Sequence, residues 1–208
     1  MLGLMQSRSL VLPNIFHRAE RYFGHKKVIT ANAGTEVSIS TIADVCDQVR
    51  RLAAALDGLG IGRHARVATF CWNTEQHLAL YLAVPCAGRV LHTVNTRLFP
   101  EQITYIANHA QDEIVFVDRS LLGLLWPLAD QLAAVQYFVV IEDGSDDEIP
   151  DSRRVLRYHQ LLAGYEPYQG HFKVEDENAA AAMCTRRGPL ATRRMWSTHI
   201  ARQCCIRW

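Results

Sequence analysis

Four residues near the carboxyl end have side chains that could bind a metal ion: Cys184, His199, Cys204 and Cys205. Thiolate and imidazole groups are the usual ligands of structural zinc, and those ligands commonly come in closely spaced pairs. Here the first gap is long and the last two cysteines are adjacent. The spacing therefore does not predict a zinc site.

Two further cysteines, Cys71 and Cys86, stand in apolar runs and could act as nucleophiles only if their thiols were activated. A catalytic thiol needs a base or a positive charge beside it, and neither cysteine has one next to it in the sequence. We expect both to be packing residues. The six cysteines lack the regular spacing of a secreted disulfide framework, so we expect a reducing, cytoplasmic compartment.

The elements that would position such residues alternate between helix and strand. Thr41 precedes a run with apolar residues at helical spacing, and Asp44 completes a weak capping box. We predict helices within residues 41–59, 74–88, 100–109, 121–132 and 155–162, and strands at 66–71, 89–94, 113–117 and 135–141. This alternation is typical of a parallel sheet covered by helices. Residues 178–184, an alanine-rich run, are compatible with either type.

Charge is distributed unevenly along the chain. Residues 185–208 contain six arginines and no acidic residue, whereas residues 1–184 contain sixteen basic and twenty-one acidic residues. The acidic run at residues 142–148 lacks the ligand spacing of a calcium loop, so we interpret it as a solvated loop.

No basic region precedes the apolar residues at the start, and the longest apolar run is interrupted by Pro85, so we expect neither a signal peptide nor a transmembrane helix.

Residues 67–73, 77–78, 83–88 and 90–103 follow a pattern that resembles the fatty acyl-CoA synthetase family of AMP-binding, adenylate-forming enzymes. The match continues into residues 105–110 and 115–118, and it is most specific over residues 84–102. This resemblance implies an α/β fold: the incomplete amino-terminal subdomain of the adenylate-forming enzyme fold, with parallel strands alternating with helices. It also implies ATP-dependent activation of a fatty or related carboxylic acid to an acyl-adenylate, followed by transfer to coenzyme A. ATP, Mg and coenzyme A are then the expected cofactors of the intact enzyme.

The family carries a phosphate-binding loop, rich in Ser, Thr and Gly and ending in Pro-Lys-Gly, after the strand that Ala180 to Cys184 would form. Such a loop presents backbone donors, hydroxyls and a lysine to the triphosphate. Residues 185–194 contain no such loop and no lysine. If one nucleotide is restored after the codon of Cys184, the shifted codons permit Ser-Ser-Gly-Thr-Thr-Gly-Asn-Pro-Lys. One codon ending in AT then stands where the family has glycine.

The frame change divides the chain into two expected regions. Residues 1–184 are predicted to be the amino-terminal part of the AMP-binding domain, and residues 185–208 a poorly ordered, out-of-frame tail. We expect the chain alone to be inactive and without cofactors.

His92 and Asn95 lie in the most specific segment and could face the cleft of an intact enzyme, but polar residues at strand ends are often structural. We therefore assign no catalytic, cofactor-binding or metal-binding residue.

The arginine-rich tail leaves one alternative from another functional class. Clustered arginines can bind nucleic acid or an acidic membrane surface through phosphate contacts. Codons read out of frame in GC-rich DNA explain the arginines better. The sequence does not define acyl-chain length or oligomeric state.

Overall fold

A computed structural model describes residues 9–31, 37–185 and 195–199. Six helices and nine strands are defined in that part. The helices are α1 (Leu12–Phe23), α2 (Ile42–Gly58), α3 (Glu75–Cys86), α4 (Pro100–Ala110), α5 (Leu122–Leu125) and α6 (Tyr158–Ala163). The strands are β1 (Lys27–Ala31), β2 (Val37–Thr41), β3 (Arg66–Phe70), β4 (Val90–Thr93), β5 (Asp112–Asp118), β6 (Tyr137–Ile141), β7 (Val155–Arg157), β8 (Ala180–Thr185) and β9 (Met195–His199).

Helix starts follow the sequence signals closely. Thr41 is the N-cap of α2, where its hydroxyl accepts from Asp44 N–H and its own N–H donates to the Asp44 carboxylate. The Thr74 side chain caps α3, and Pro100 occupies the first turn of α4. Pro85 lies in the last turn of α3, which ends one residue later. These capping and proline signals act locally, which is why the sequence identifies them.

Seven strands form one sheet in the order β7-β6-β5-β3-β4-β8-β9. Every neighbouring pair is parallel except β8 and β9, which run antiparallel. The prediction of parallel strands alternating with helices is therefore confirmed. β1 and β2 form a separate antiparallel pair.

Both faces of the large sheet are covered, and each carries its own apolar core. On one face, side chains of α1, α2, α3 and α6 surround Phe16, Leu52, Leu80 and Phe116. On the other face, α4, α5 and the adjoining 3₁₀ turns pack around Phe70 and Phe138. Strands that are buried on both faces read as continuous apolar runs rather than as alternating ones, as β5 and β6 do.

Two predicted helices need correction. Residues 121–132 do not form one helix: two 3₁₀ turns, Arg119–Leu121 and Trp126–Gln131, flank the short α5. Pro127 lacks the N–H that a continuous helix would need, so the chain tightens there. Residues 155–162 were predicted as one helix, but Val155–Arg157 pairs with β6 as strand β7, and α6 begins only at Tyr158.

The boundary predicted at Cys184 does not coincide with the end of a strand. Thr185 is the last residue of β8, and Met195–His199 forms β9 beside it. Backbone pairing with a strand edge depends little on side-chain identity, so a segment of any reading frame can pair in this way. Residues 186–194 and 200–208 lie outside the described residues, and a poorly ordered tail stays a prediction.

Residues 165–174, which we call the strap, cross the outer surface of α1 and α2 on the way from α6 to β8. Arg51 donates to Tyr165 C=O at 2.9 Å, and Arg50 donates to Tyr168 C=O at 2.7 Å and to Gly170 C=O at 2.9 Å. Phe172 N–H donates to Nε2 of His17 at 3.2 Å. Side chains of two helices thus hold the backbone of the strap.

None of the helices among the described residues is both long enough and apolar enough to cross a membrane. Cys46, Cys71, Cys86 and Cys184 are free thiols.

Candidate functional site

The carboxyl ends of the parallel strands meet at one edge of the large sheet. Chain connections diverge there: α3, which follows β3, packs on one face, and α5, which follows β5, packs on the other. β3 and β5 are neighbours, whereas β4 lies on the far side of β3. In open α/β sheets, a crevice forms where connections part in this way, and ligands bind in it. On the basis of this rule, we give the name edge crevice to the place where the turns that leave β3 and β5 meet.

The first wall of the edge crevice is the turn at residues 71–74, which follows β3. Trp72 N–H donates to Oδ2 of Asp118, the last residue of β5. Trp72 C=O accepts from Thr74 N–H at 3.0 Å and lies 3.0 Å from Nδ1 of His77. The turn is therefore held through both polar groups of the Trp72 backbone.

His77 extends this network into the core. Its Nε2 lies 3.0 Å from the Thr69 hydroxyl, and its Nδ1 faces a carbonyl, which can only accept. The proton of the neutral ring therefore sits on Nδ1, and Nε2 accepts from Thr69. Burial lowers the pKa of His77 below its ordinary value, which favours this neutral form.

The second wall is the turn after β5, which reaches the loop after β6. The Trp72 indole Nε1–H donates to Ser120 Oγ at 3.1 Å, and the Ser120 hydroxyl donates to Oδ2 of Asp143. Ser120 N–H donates to the same carboxylate oxygen at 3.2 Å. Three successive loops of the edge are thus connected by hydrogen bonds. Trp72 as a whole residue is 47% exposed.

Asp118 is fully buried beneath these loops. Burial raises its pKa to about 7, the Trp72 N–H opposes that rise, and the negative charge of Asp143 adds to it. One of its oxygens, Oδ1, has no hydrogen-bond partner among the described residues. A buried carboxylate with an unsatisfied oxygen is uncommon, and such groups concentrate at functional sites.

Cys71 and Cys86 agree with the prediction that they are packing residues. Burial raises the pKa of the Cys71 thiol well above its ordinary range, and the charge of Asp118 raises it further. Burial likewise raises the pKa of Cys86, which is 1% exposed. Both thiols stay protonated at neutral pH, so neither is an activated nucleophile.

His92 and Asn95 are only three residues apart, but the structure gives them different surroundings. Asn95 lies at the carboxyl edge, where its Oδ1 accepts Arg97 N–H at 2.9 Å. His92 is completely buried within β4, and its Nδ1 lies 2.8 Å from Oδ2 of Asp112. Burial raises the pKa of Asp112, and the hydrogen bond with His92 opposes the rise. His92 is therefore a partner of Asp112 inside the sheet rather than a wall of the edge crevice.

The zinc combination is not assembled in the described part of the chain. Cys184 pairs in register with Trp196, whereas His199 pairs with Ala180 at the other end of the two strands. Cys204 and Cys205 lie outside the described residues. No group of three or more His, Cys, Asp or Glu side chains there could hold a metal ion.

The acidic run at residues 142–148 is partly engaged by its neighbours. Glu142 Oε1 accepts from Arg157 at 2.7 Å, and Asp143 accepts from Ser120 as described above. A groove of about 630 Å³ lies beyond it, beside β7 and α6. None of the unsatisfied buried polar atoms of the described residues belongs to a residue that lines this groove. We therefore place the candidate site at the edge crevice.

The model of the AMP-binding enzyme family matches residues 15–184, which is most of the chain and includes every strand of the large sheet except β9 and the last residue of β8. This chain belongs to the AMP-binding enzyme family. It corresponds to the amino-terminal part of an adenylate-forming enzyme.

Several curated relatives of this AMP-binding chain are CoA ligases. The 3-methylmercaptopropionyl-CoA ligase of Ruegeria lacuscaerulensis is 34% identical over 90% of this chain and 35% of its own length. The medium-chain-fatty-acid–CoA ligase of Ectopseudomonas oleovorans is 35% identical over 90% of this chain and 34% of its own length. The long-chain-fatty-acid–CoA ligase of Thermus thermophilus is 42% identical over 76% of this chain and 28% of its own length. The chain thus spans about a third of the length of the curated relatives it matches.

Among solved structures, the anthranilate CoA ligase AuaEII in complex with anthranoyl-AMP has the same fold. It superposes with a TM-score of 0.77 at 17% identity, covering 96% of this chain and 36% of the ligase.

The described residues of this AMP-binding chain do not themselves fit a magnesium–triphosphate group. The edge crevice carries the carboxylates of Asp118 and Asp143, which repel phosphate. The three lysines of the chain are elsewhere: Lys26 and Lys27 stand at β1, and Lys173 lies in the strap. We therefore derive no chemical step through ATP or magnesium from these residues.

Proposed function

We propose that this chain is part of an acid–CoA ligase that activates a fatty or related carboxylic acid with ATP and transfers the acyl group from the adenylate to coenzyme A. The observation that carries the proposal is the match of the AMP-binding family over residues 15–184, together with relatives that are CoA ligases for several acids. ATP, Mg and coenzyme A are the cofactors proposed for the intact enzyme. A cytoplasmic compartment is part of this proposal, and the free thiols of the described residues support it.

The 208-residue chain alone is proposed to be inactive. Residues 186–194 follow β8, where the family's phosphate loop is expected, and they contain four arginines but no lysine and a single glycine. Preorganised donors around a reacting phosphate account for a large share of catalysis, and their loss costs orders of magnitude in rate. The proposed cause is a single-nucleotide frame change after Cys184.

Coding DNA tests the frame change directly. The expected result is a second frame downstream of Cys184 that encodes the phosphate loop with its lysine and a further adenylate-forming domain. Downstream DNA without any such frame would refute the frame change while leaving the family assignment intact.

Enzyme activity tests the ligase proposal. We expect no fatty-acid-dependent release of pyrophosphate from purified chain 1–208, and restored release from a full-length protein whose frame is corrected. A matched control is the frame-corrected protein in which the loop lysine is replaced by alanine, which should return to background. Turnover by chain 1–208 that survives deletion of residues 185–208 would show that the chemistry lies elsewhere.

The arginine-rich tail favours a second candidate, a module that binds nucleic acid or an acidic surface. Six arginines without an acidic residue would give binding that weakens steeply with salt. Binding of duplex DNA, RNA or anionic vesicles that disappears when residues 185–208 are deleted would favour this candidate. Equal background binding with and without the tail is the expected result.

A further inference from the structure

The turn at residues 71–74 is fixed from two sides, and the two anchors differ in kind. His77 and Thr74 belong to the same β3–α3 segment as the turn and hold Trp72 C=O. Asp118 comes from β5, 46 residues later, and holds Trp72 N–H. The local anchors shape the turn, whereas the long-range anchor sets where the turn stands relative to the other wall of the edge crevice.

The groups that surround Asp118 include no cation that would balance the charge of its carboxylate. The turn after β3 contributes Trp72 N–H and the Cys71 thiol, and the loop after β6 contributes the carboxylate of Asp143. Arg119 is adjacent in the chain, but its guanidinium donates to Asp147 C=O instead. Within the described ranges, no Lys, Arg or His side chain forms an ion pair with Asp118.

A buried carboxylate without a cation loses the hydration of its charge, and it normally becomes neutral through a raised pKa rather than staying ionised. Oδ2 of Asp118 is occupied by Trp72 N–H, while Oδ1 is buried and unsatisfied. Packing alone therefore does not explain why an ionisable group stands here. An asparagine would provide the same acceptor for Trp72 N–H without the cost of burying a charge.

We propose that Asp118 is a positioning residue of the edge crevice, which fixes the turn at residues 71–74 and the exposed Trp72 indole more tightly when its carboxylate is ionised than when it is protonated. A hydrogen bond to an ionised acceptor is shorter and roughly twice as strong as one to a neutral acceptor. Because burial brings the pKa of Asp118 to about 7, both forms are populated near neutral pH. The position of the Trp72 wall thus follows pH in the range where a cytoplasmic enzyme works.

The Trp72 backbone amide provides a direct test in ¹⁵N-labelled chain 1–208. An amide proton that donates to a carboxylate moves downfield as that carboxylate ionises. We expect the Trp72 amide to shift with a midpoint near pH 7, and Trp72→Phe to identify the indole signal of this residue among the four tryptophans. Asp118→Asn should keep the amide protected from hydrogen exchange but abolish its titration.

Two variants separate positioning from a general structural effect. Ser120→Ala removes the hydroxyl that binds both the Trp72 indole and Asp143, so it should move the Trp72 indole signal while the Trp72 amide still titrates with Asp118. Asp118→Ala removes the acceptor, so it should abolish the titration and also lower the protection of the Trp72 amide at least tenfold; if this variant does not fold, Asp118→Asn carries the test. An amide that is flat with pH in the unmodified chain, or that titrates equally in Asp118→Asn, overturns the proposal.

This inference rests on the proposed function only in treating the crevice as a ligand site. The resonance measurement needs no ligand and no turnover. A titrating Trp72 amide with an inactive frame-corrected enzyme would refute the ligase proposal alone. An active enzyme with a flat Trp72 amide would refute the positioning role alone.

Discussion

Two buried aspartates stand at opposite ends of strand β5, and their surroundings differ. Asp112, the first residue, pairs with the His92 ring inside the sheet, and Asp118, the last, accepts a backbone N–H from a turn at the carboxyl edge. Both are fully buried, and burial raises the pKa of each. One carboxylate has an ionisable partner, while the other faces a like charge. Burial alone therefore does not mark an aspartate as functional. Whether the buried carboxylate has an ionisable partner is more informative.

The largest expected effect comes from breaking the pair at the start of β5. Asp112→Ala leaves the His92 ring buried without its hydrogen-bond partner, and removal of one member of a buried pair costs about 3–5 kcal/mol. Urea denaturation of chain 1–208 measures the loss of unfolding free energy. Replacing both residues, Asp112→Leu with His92→Leu, should recover part of it. A double variant as unstable as the sum of the two single variants would show that they do not act as a pair.

The next effect concerns the pH dependence of stability at the other end of β5. Because the pKa of Asp118 is raised in the folded chain, protonation of Asp118 favours the folded state. This contribution to the free energy of unfolding is complete at acid pH and is lost as pH rises through about 7. Relative to Asp118→Asn, the unmodified chain should lose about 2–3 kcal/mol of stability between about pH 5 and pH 8. Denaturation curves at several pH values check this. Parallel curves for the two proteins would place the titrating group elsewhere.

A smaller effect is expected from the hydroxyl that connects the loops. Ser120→Ala removes the bridge between the Trp72 indole and Asp143, which should cost about 1 kcal/mol, the net value of a typical hydrogen bond. Ser145→Ala is a matched control, because its hydroxyl bonds only within its own loop, to Asp147. If both serine variants lose the same stability by urea denaturation, the connection between the loops contributes nothing of its own.

The smallest expected effect is a pH dependence of local stability far from β5, at His17. Burial, and then the neighbouring His171, lower the pKa of His17, while Glu20 opposes the shift and Arg50 adds to it. Because the pKa of His17 is lowered in the folded chain, the neutral ring favours folding. This contribution to stability is present at pH values above the ordinary pKa of histidine and is lost as pH falls through that pKa. We expect protection of the Phe172 amide to fall between about pH 7 and pH 5, with a change of at most about 1 kcal/mol. His17→Gln keeps an acceptor for this amide and should remove the pH dependence.

Much of the fold could be predicted because its signals are local. Thr41, Pro85 and Pro100 act on their own turns, and β3, β4, β5 and β6 are apolar runs of the length that strands have. The sequence failed where tertiary pairing decided the outcome. Val155 begins a strand because β6 offers an open edge. No prediction covered α1 or the β1–β2 pair.

The candidate site was largely missed. The sequence singled out His92 and Asn95 from the most specific segment, but Asp118 and Trp72 became partners only because the sheet brings β3 and β5 together. One signal was available: both residues follow or end a predicted strand, and the carboxyl ends of parallel strands share an edge. The partner of His92, Asp112, is likewise separated from it by a whole helix.

The strap has a consequence for how the chain folds during synthesis. It closes contacts of long sequence separation, because Arg50 binds Gly170 and His17 binds Phe172. Just beyond the strap, Leu10 N–H donates to Glu177 at 2.8 Å. Contacts between distant residues must wait until both partners have left the ribosome, and they slow folding. α2 and α3 can pack on the first helix earlier, but the side of α1 where Phe16 and His17 meet Phe172 remains uncovered until about 170 residues have emerged.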